Sequence, residues 1–385
     1  MVGPDYAAPE IQSPEAWRTA APDNAASIAN QPWWEIFHDG DLQNLIRVAL
    51  EENKDLQMAL ARLDQARAAI GVTDSAFLPS IDYSGGYQRS RSHTAANPGT
   101  PRYDRYSLAG SVNWEIDLWG RIRRLSESAE AQYLSVEENK NAVVLALVAE
   151  TASGYFRLRM LDAQLAITEH TAKTRVDAYK LAKQMLDAGT RSEIETFQFE
   201  ADMLSAQASI SQFKQAIAIQ ENALSVLLGR NPGDILRARS TPSPFLAEVP
   251  AGIPSEILQR RPDIRSAEQQ LRAANAEIGA AVANYFPTVS LTGALGFINP
   301  SLGNLLENHS MGRQGGGTIL GPIFNGGATY FSVKQAEGRT KEMLLNYQSV
   351  VLNAFREVND ALVTIQNTRE RITRLAQQVE VLEKS

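Results

Sequence analysis

Shifting the sequence against itself by 208 residues lays Asp55 on Asp263, Ala59 on Ala267, Leu63 on Leu271 and Ala66 on Ala274. In the same frame Ile70 meets Ile278, Gly71 meets Gly279, Pro79 meets Pro287 and Gly85 meets Gly293. A second stretch matches at a shift of 206, where Gly120 falls on Gly326. A period of about 207 is far too long for a solenoid. The pattern is a duplicated half, so whatever one half builds must be built twice. The first half extends through Leu228, which projects the second to about residue 435. The last helix of the second half is therefore expected beyond Ser385, with its turn near residue 395.

Each half opens with a helical pattern. Leu42, Leu45, Ile46, Ala49 and Leu50, then Leu56, Ala59, Leu60, Leu63, Ala66 and Ile70, recur at three- and four-residue spacing. Asp39 and Asp41 suit an N-cap. The pattern stops at Phe77-Leu78-Pro79, where proline disfavours helix in the residue before it. The second copy stops in the same way at Tyr285-Phe286-Pro287.

Past each proline the period changes from 3.6 to 2. Along 105–118, Tyr106, Leu108, Gly110, Val112, Trp114, Ile116 and Leu118 take one face. Arg105, Ser107, Ala109, Ser111, Asn113, Glu115 and Asp117 take the other. Ile81, Tyr83, Gly85 and Tyr87 likewise alternate with Asp82, Ser84, Gly86 and Gln88, and Val289, Leu291, Gly293, Leu295 and Phe297 with Ser290, Thr292, Ala294 and Gly296. A fourth candidate, 314–324, is glycine-rich and less regular. Loops are expected at 91–103 and 299–312. Long strands with one apolar and one polar face suit a transmembrane β-barrel, lipid outside and water inside; a soluble sheet with one wet face has the same pattern. Four strands cannot close a barrel, and an open edge in lipid leaves backbone groups unpaired. Membrane-spanning strands therefore require several chains to share one barrel, and three chains supply twelve.

Long helices follow each strand pair. From Arg121 to Asp187 there is no proline and a single glycine, Gly154. As one helix these residues reach roughly 100 Å. Leu158, Leu165, Ala172, Tyr179 and Leu186 recur every seven residues, with Leu161 and Ala182 at the companion position, as in a coiled-coil seam. Gly189 marks a turn. A return helix over 192–228 carries Met203, Ala206, Ile210, Phe213, Ile217, Leu224 and Leu227. The equivalent long helix of the second half starts at 327.

The remaining features narrow the function by exclusion. The longest apolar run, Ala142 to Ala149, falls far short of the ~20 residues of a membrane-spanning helix. With 37 basic and 44 acidic side chains the net charge is −7, which offers nucleic acid no overall attraction. There is no cysteine, hence no disulfide, zinc–thiolate site or thiol catalysis. The histidines, His38, His93, His170 and His309, are widely separated. His38-Asp39 is the one candidate metal-hydrolase dyad, and a loop before a helix cap accounts for it far better. Gly315-Gly316-Gly317 lacks the lysine and hydroxyl residue of a phosphate loop. Glu193 and Glu195 are two apart on a helix and share no face. No catalytic constellation and no cofactor motif emerges. The polar strand face offers a pore lining instead: Asp82, Gln88, Arg105, Glu115 and Asp117.

The order helix, strand hairpin, long helical hairpin, repeated, resembles the outer-membrane factor family, the TolC-like exit ducts of tripartite efflux and type I secretion systems. The local resemblance is close at Val249-Pro-Ala-Gly-Ile-Pro-Ser-Glu-Ile-Leu-Gln-Arg-Arg-Pro-Asp-Ile264, through Ala273–Gly279, to Phe286-Pro287. Val2-Gly3-Pro4-Asp5-Tyr6, Trp33-Trp34 with Phe37, and Gly321-Pro322-Ile323-Phe324-Asn325-Gly326-Gly327 are similar to its efflux-lipoprotein branch. That branch usually carries a lipidated cysteine just before the Gly-Pro-Asp-Tyr stretch, where Met1 stands here.

The resemblance implies an α+β membrane protein acting as a homotrimer. Its twelve-stranded barrel would lie in outer-membrane lipid and its coiled-coil helices would form a periplasmic α-barrel. It divides the chain into an extended segment, 1–40, on an equatorial region; a helix, 41–79; a barrel hairpin, 80–118; a long helical hairpin, 121–228; an equatorial linker, 229–262; a second helix, 263–287; a second barrel hairpin, 288–324; and a long helix, 327–385, cut before its tip. The partners implied are a periplasmic adaptor and an inner-membrane efflux transporter. Gly189, Thr190, Arg191 and Glu195 would meet the adaptor or hold the entrance shut. The principal constricting acids of the family lie on the final helix and have no counterpart here. The expected role is passive export of small molecules or metal ions, without enzymatic activity. The alternatives are a type I secretion duct and a soluble periplasmic coiled-coil scaffold.

Overall fold

The computed structural model describes residues 1–11, 14, 17, 39–91, 102–237 and 256–384. The tryptophan pair 33–34, Phe37, His38, His93 and residues 249–255 lie outside them. The described elements run α1 (Gly40–Glu52), α2 (Lys54–Asp74), β1 (Ser80–Arg91), β2 (Arg102–Ile116), α3 (Arg121–Asp187), α4 (Glu193–Leu227), α5 (Glu256–Arg260), α6 (Pro262–Ala283), β3 (Thr288–Asn299), β4 (Met311–Leu320) and α7 (Ala328–Glu383). The duplication is visible in these bounds: shifted by 208, β1 lands on β3 and α2 on α6. None of the described helices is long and apolar enough to cross a membrane.

Two compact units arise, the first from Met1–Pro14, Arg62–Glu138 and Ile257–Val358, the second from Glu15–Ala61, Asn139–Glu256 and Asn359–Ser385. The first holds the sheet, a single antiparallel array in the order β1-β2-β3-β4. Each half contributes a hairpin, and the β2–β3 ladder, Tyr106 opposite Asn299 through Ile116 opposite Val289, joins the two halves. β4 begins at Met311, three residues before the expected start, and ends before Gly321. A Cβ at Gly321 would lie 2.9 Å from Pro287, so the chain leaves the ladder by passing hard against the residue that precedes β3.

Below the sheet, α6 is an alanine-rich helix whose Ile264, Ala267, Leu271, Ala274 and Ile278 are buried. Its start explains the Arg-Pro-Asp motif. Pro262 takes the first turn, where its missing N–H costs nothing. Arg261 forks onto Asp263 (3.0 and 2.6 Å) and also reaches Glu357 of α7 at 2.7 Å. Burial alone would push the Asp263 carboxyl up; the Arg261 cation and the Ile264 N–H outweigh it and hold it below the usual range. The amino-terminal residues are pinned by Arg124, which is buried and donates to the Val2 carbonyl (3.3 Å) and Asp5 (2.6 Å).

In the second unit α3 and α4 pack as an antiparallel pair, and the seven-residue seam is the buried one. Leu158, Leu161, Ala172 and Ala182 are buried, while Met203, Ala206, Ile210, Phe213 and Ile217 are half-buried. Leu42, Leu45, Ile46 and Ala49 of α1 close the core over Leu147, Val148, Tyr155, Leu158 and Leu224. Asp39 caps α1, accepting from the Asp41 and Leu42 N–H groups, and takes a third bond from the Tyr155 hydroxyl at 2.9 Å. Burial comes first among the causes that push that phenol up to about 12.

The helix expected over 41–79 is two helices and a short turn. Asn53 is extended, with ψ of 131°. Its Oδ1 accepts from the Leu56 N–H at 2.9 Å, capping α2, and its Nδ2 donates to the Leu227 carbonyl at 2.9 Å. The break is therefore a docking point for the end of α4. Beside it Gly229 has φ of +66°, and a Cβ there would sit 2.8 Å from the Glu52 carbonyl carbon. Gly229→Ala is expected to cost about 3 kcal/mol, combining the left-handed backbone with an overlap that backbone must yield to. A guanidinium midpoint equal to that of the unmodified chain would contradict this packing.

Candidate functional site

Antiparallel register places directly opposed residues on one face, so the ladders assign every strand side chain to one of two surfaces. Ile81, Tyr83 and Tyr87 share a face with Tyr106, Leu108, Val112 and Trp114, with Leu291, Leu295 and Phe297, and with Met311 and Ile319. These side chains are not a core. Tyr83 is 91% exposed, Ile81 78% and Ile319 72%. Val112 and Trp114 are exposed as well, and Tyr106 and Ile116 are half-buried.

The aromatic residues sit at both ends of this apolar face. Tyr87 and Tyr106, directly opposed, have ring centroids 4.8 Å apart. At the helix-joined end the Trp114 indole donates to the Phe77 carbonyl at 2.9 Å, and Trp119 stacks on Phe286 at 4.6 Å. Tyr106 to Trp114 is ~27 Å of strand, or ~21 Å when tilted by ~40°, close to the apolar band of an outer-membrane barrel. Five charged positions fall on the face, Arg89, Arg91, Arg102, Asp104 and Arg313. Arg89 and Asp104 neutralise each other near its loop end, and Arg313 lies near the start of β4.

The opposite face is polar and, in its middle, small. Asp82 stands opposite Ser111, and Gln88 opposite Arg105. Ser111 in turn faces Ala294, and Ala294 faces Gln314. Glu115 belongs to this face, but Arg121 holds it with a fork of 3.0 and 2.9 Å. Asp117 lies beyond the end of β2. It turns back to accept from the Ile122 and Arg123 N–H groups (3.1 and 3.0 Å) and caps α3. Burial opposes its ionisation, but these donors and the Arg123 guanidinium prevail and lower its pKa. The sheet thus brings Asp82, Gln88, Arg105 and Glu115 onto one surface and gives Asp117 a capping task. The charges at the loop end, Arg89, Arg91 and Asp104, escaped the sequence reading, which followed the alternation in β1 only to Gln88. Its continuation through Arg89-Ser90-Arg91 was the available signal.

The turn between α3 and α4 is a Schellman cap. Gly189 has φ of +71°, its N–H meets the Leu186 carbonyl, and the Thr190 N–H meets that of Met185. The Thr190 hydroxyl donates to the same Met185 oxygen at 2.9 Å. Arg191 pairs with Glu195 at 3.7 Å and stacks over Phe199 at 4.9 Å. Ser192 caps α4. Ile194 and Phe197 stand exposed beside them.

Residues 45–230 and 253–385 match the family described as outer membrane efflux protein. The chain belongs to this family. It is 35% identical over 386 residues to an antibiotic efflux pump outer membrane protein, ArpC, of Pseudomonas putida, covering 96% of this chain and 78% of the relative. It is 33% identical over 377 residues to the cation efflux system protein CusC of Escherichia coli K12, covering 97% and 82%. A crystal structure of CusC superposes with a TM-score of 0.87 at 31% identity, covering 99% of this chain and 87% of that one. As a member of the family the chain is an outer-membrane efflux channel component.

Proposed function

We propose that three copies of this chain close a twelve-stranded barrel in the outer membrane and form a passive exit duct. In this reading a periplasmic adaptor and an inner-membrane transporter deliver small molecules or metal ions to it. Asp82, Gln88 and Arg105 line the water-filled lumen, with Glu115 and Asp117 at its helix-joined rim. Gly189, Thr190, Arg191 and Glu195 present the turn that meets the adaptor, and the Arg191–Glu195 pair is part of the contact that sets the closed state. The chain catalyses nothing; the transporter supplies the energy.

One observation carries the reading. The sheet has four strands, two open edges and an apolar face that none of the described residues covers. In lipid each unpaired edge group costs several kcal/mol, and closure with further copies removes every edge. The small residues at the middle of the polar face favour an open lumen over one plugged by side chains. The relatives named for antibiotic and cation efflux support small solutes as the cargo class. The expected result is a detergent-requiring trimer that gives steady, voltage-tolerant conductance in a planar bilayer without any energy source. A species that purifies as a monomer in detergent-free buffer would sink the reading.

A further inference from the structure

The two halves are built alike but are not equally covered. Ser80 and Thr288, 208 residues apart, oppose Asn113 and Leu320, so β4 repeats β2 at an offset of 207. The same offset carries the left-handed Gly120 (φ +84°) onto Gly327 (φ +86°), and the first residue of α3, Arg121, onto the first of α7, Ala328. The doublet Gly326-Gly327 offers the sequence two matches for Gly120, and the glycine that adjoins the helix is the second.

In the unit that holds the sheet, α6 lies between two helices. On one side Gln270 donates to the Ser135 hydroxyl of α3 at 3.2 Å, and Arg265 meets Glu138 at 2.6 Å. A Cβ at Gly279 would lie 2.8 Å from the Arg124 side chain on that side. On the other, Arg339 of α7 pairs with Glu277 at 3.0 Å and the Thr340 hydroxyl donates to the Ala274 carbonyl at 3.0 Å. Its repeat, α2, bonds the helix of its own half: Arg67 donates to Tyr133 of α3 at 3.0 Å, and Ser126 to Asp74 at 2.6 Å. The helices therefore follow the strand order, α2-α3-α6-α7, with α2 and α7 outermost as β1 and β4 are the edges.

Burial locates what each outer helix lacks. Arg124, Ser128, Ala131, Ser135 and Glu138 form one stripe of α3, and all are buried. Their counterparts on α7, Phe331, Gln335, Gly338, Glu342 and Leu345, are all exposed. On α2, Gln65, Ala68 and Val72 are exposed where Ala273, Ala276 and Ala280 of α6 are buried. A Cβ at Gly71, the repeat of Gly279, would meet no described atom within 4 Å. At the sheet, Ile116 opposes Val289; their repeats, Ile323 and Ile81, are both exposed. The repeat also specifies the occupant. The counterpart of α3 is α7, which stands at the far end of its own array, so the α7 that reaches α2 belongs to a second copy. Charge agrees: the Ser135–Gln270 contact becomes Glu342 against Arg62, and among the described residues neither of these has an ion-pair partner.

We propose that Phe331 of one copy seats over Gly71 of the next and that Glu342 pairs with Arg62, repeating between chains the contact that α3 makes with α6 within one. The proposal rests on the reading of three copies around one barrel and names the side chains that join them.

The absence of native cysteine makes the test direct. The full chain carrying Gly71→Cys and Phe331→Cys, purified in detergent and treated with a short bis-maleimide, is expected to link into covalent trimers. Either cysteine alone is expected to give no link, because the contact joins two different surfaces. Arg62→Glu and Glu342→Arg are each expected to weaken assembly about thirtyfold, the modest cost of an exposed pair recurring at three interfaces. The double variant Arg62→Glu/Glu342→Arg is expected to recover it. Trimers that never cross-link, links formed by a single cysteine, or a double variant no better than either single one would each overturn the proposal while leaving the barrel reading in place. Failure of the barrel reading shows differently: the unmodified chain itself forms no trimer in detergent, and both fall together.

Discussion

Val112→Arg is expected to abolish the stable outer-membrane trimer, whereas Ser111→Arg, one residue earlier, is expected to leave it intact and lower its conductance. Val112 sits mid-strand on the apolar face, between Ile81 and Gly293 in register. An arginine at the midplane of a barrel's lipid face costs about 2–4 kcal/mol per copy. Three copies share one barrel in the proposed assembly, so the cost recurs three times in a structure stabilised by only about 5–15 kcal/mol. Ser111 faces Asp82 and Ala294 on the polar side, where a guanidinium stays hydrated and merely occupies lumen. The second half provides an internal repeat of the test, with Leu291→Arg expected to behave like Val112→Arg, and Thr292→Arg like Ser111→Arg. Membrane fractionation and the trimer band on native gels read the first effect, and single-channel current reads the second. Tolerance of arginine at both Val112 and Leu291 would mean that the exposed apolar face meets water.

That experiment targets what the sequence alone left open. Alternation fixes which residues share a face, because the period of a strand is two, and so β1, β2 and β3 were legible from Ile81, Tyr106 and Val289 onward. It does not say what each face meets; a soluble sheet with a wet face and a barrel strand share the pattern, and only the uncovered side chains and two open edges separate them. The long helices were legible for a similar reason. α3 spans Arg121–Asp187 and α7 starts at Ala328 because nothing in either stretch breaks a helix. Cap-driven breaks were harder to see. Asn53 interrupts an unbroken apolar periodicity because it bonds Leu227, 174 positions away, a partner no local window contains. Asp117 reads as one more polar-face residue by parity, yet the strand ends at Ile116 and the carboxylate serves the next helix instead. β4 was blurred by its glycines, which carry no face preference.

The contact least visible from sequence, the Arg237 cluster, yields the other large effect. Arg237 follows α4 and is buried between the helices of the second unit. It forks onto Asp162 of α3 at 2.6 and 2.8 Å and reaches Glu221 of α4 at 2.5 Å. The Asp162 contact comes first, and with Glu221 it raises the guanidinium pKa against the opposing effect of burial. One cation thus ties α3, α4 and the outgoing segment together. Arg237→Met is expected to destabilise this unit by about 3–5 kcal/mol, because it leaves two nearly buried carboxylates facing each other without a cation. Arg237→Lys should recover only part of the loss, since a single ammonium cannot fork onto Asp162 while still reaching Glu221. In an Asp162→Asn/Glu221→Gln background the same Arg237→Met change should cost far less, because the charges it would strand are gone. Guanidinium midpoints followed by helical circular dichroism compare the four variants with the unmodified chain. A loss below about 1 kcal/mol for Arg237→Met, the range of an exposed surface pair, would show that the cluster is screened by water and that burial of the α1, α3 and α4 side chains alone holds the unit.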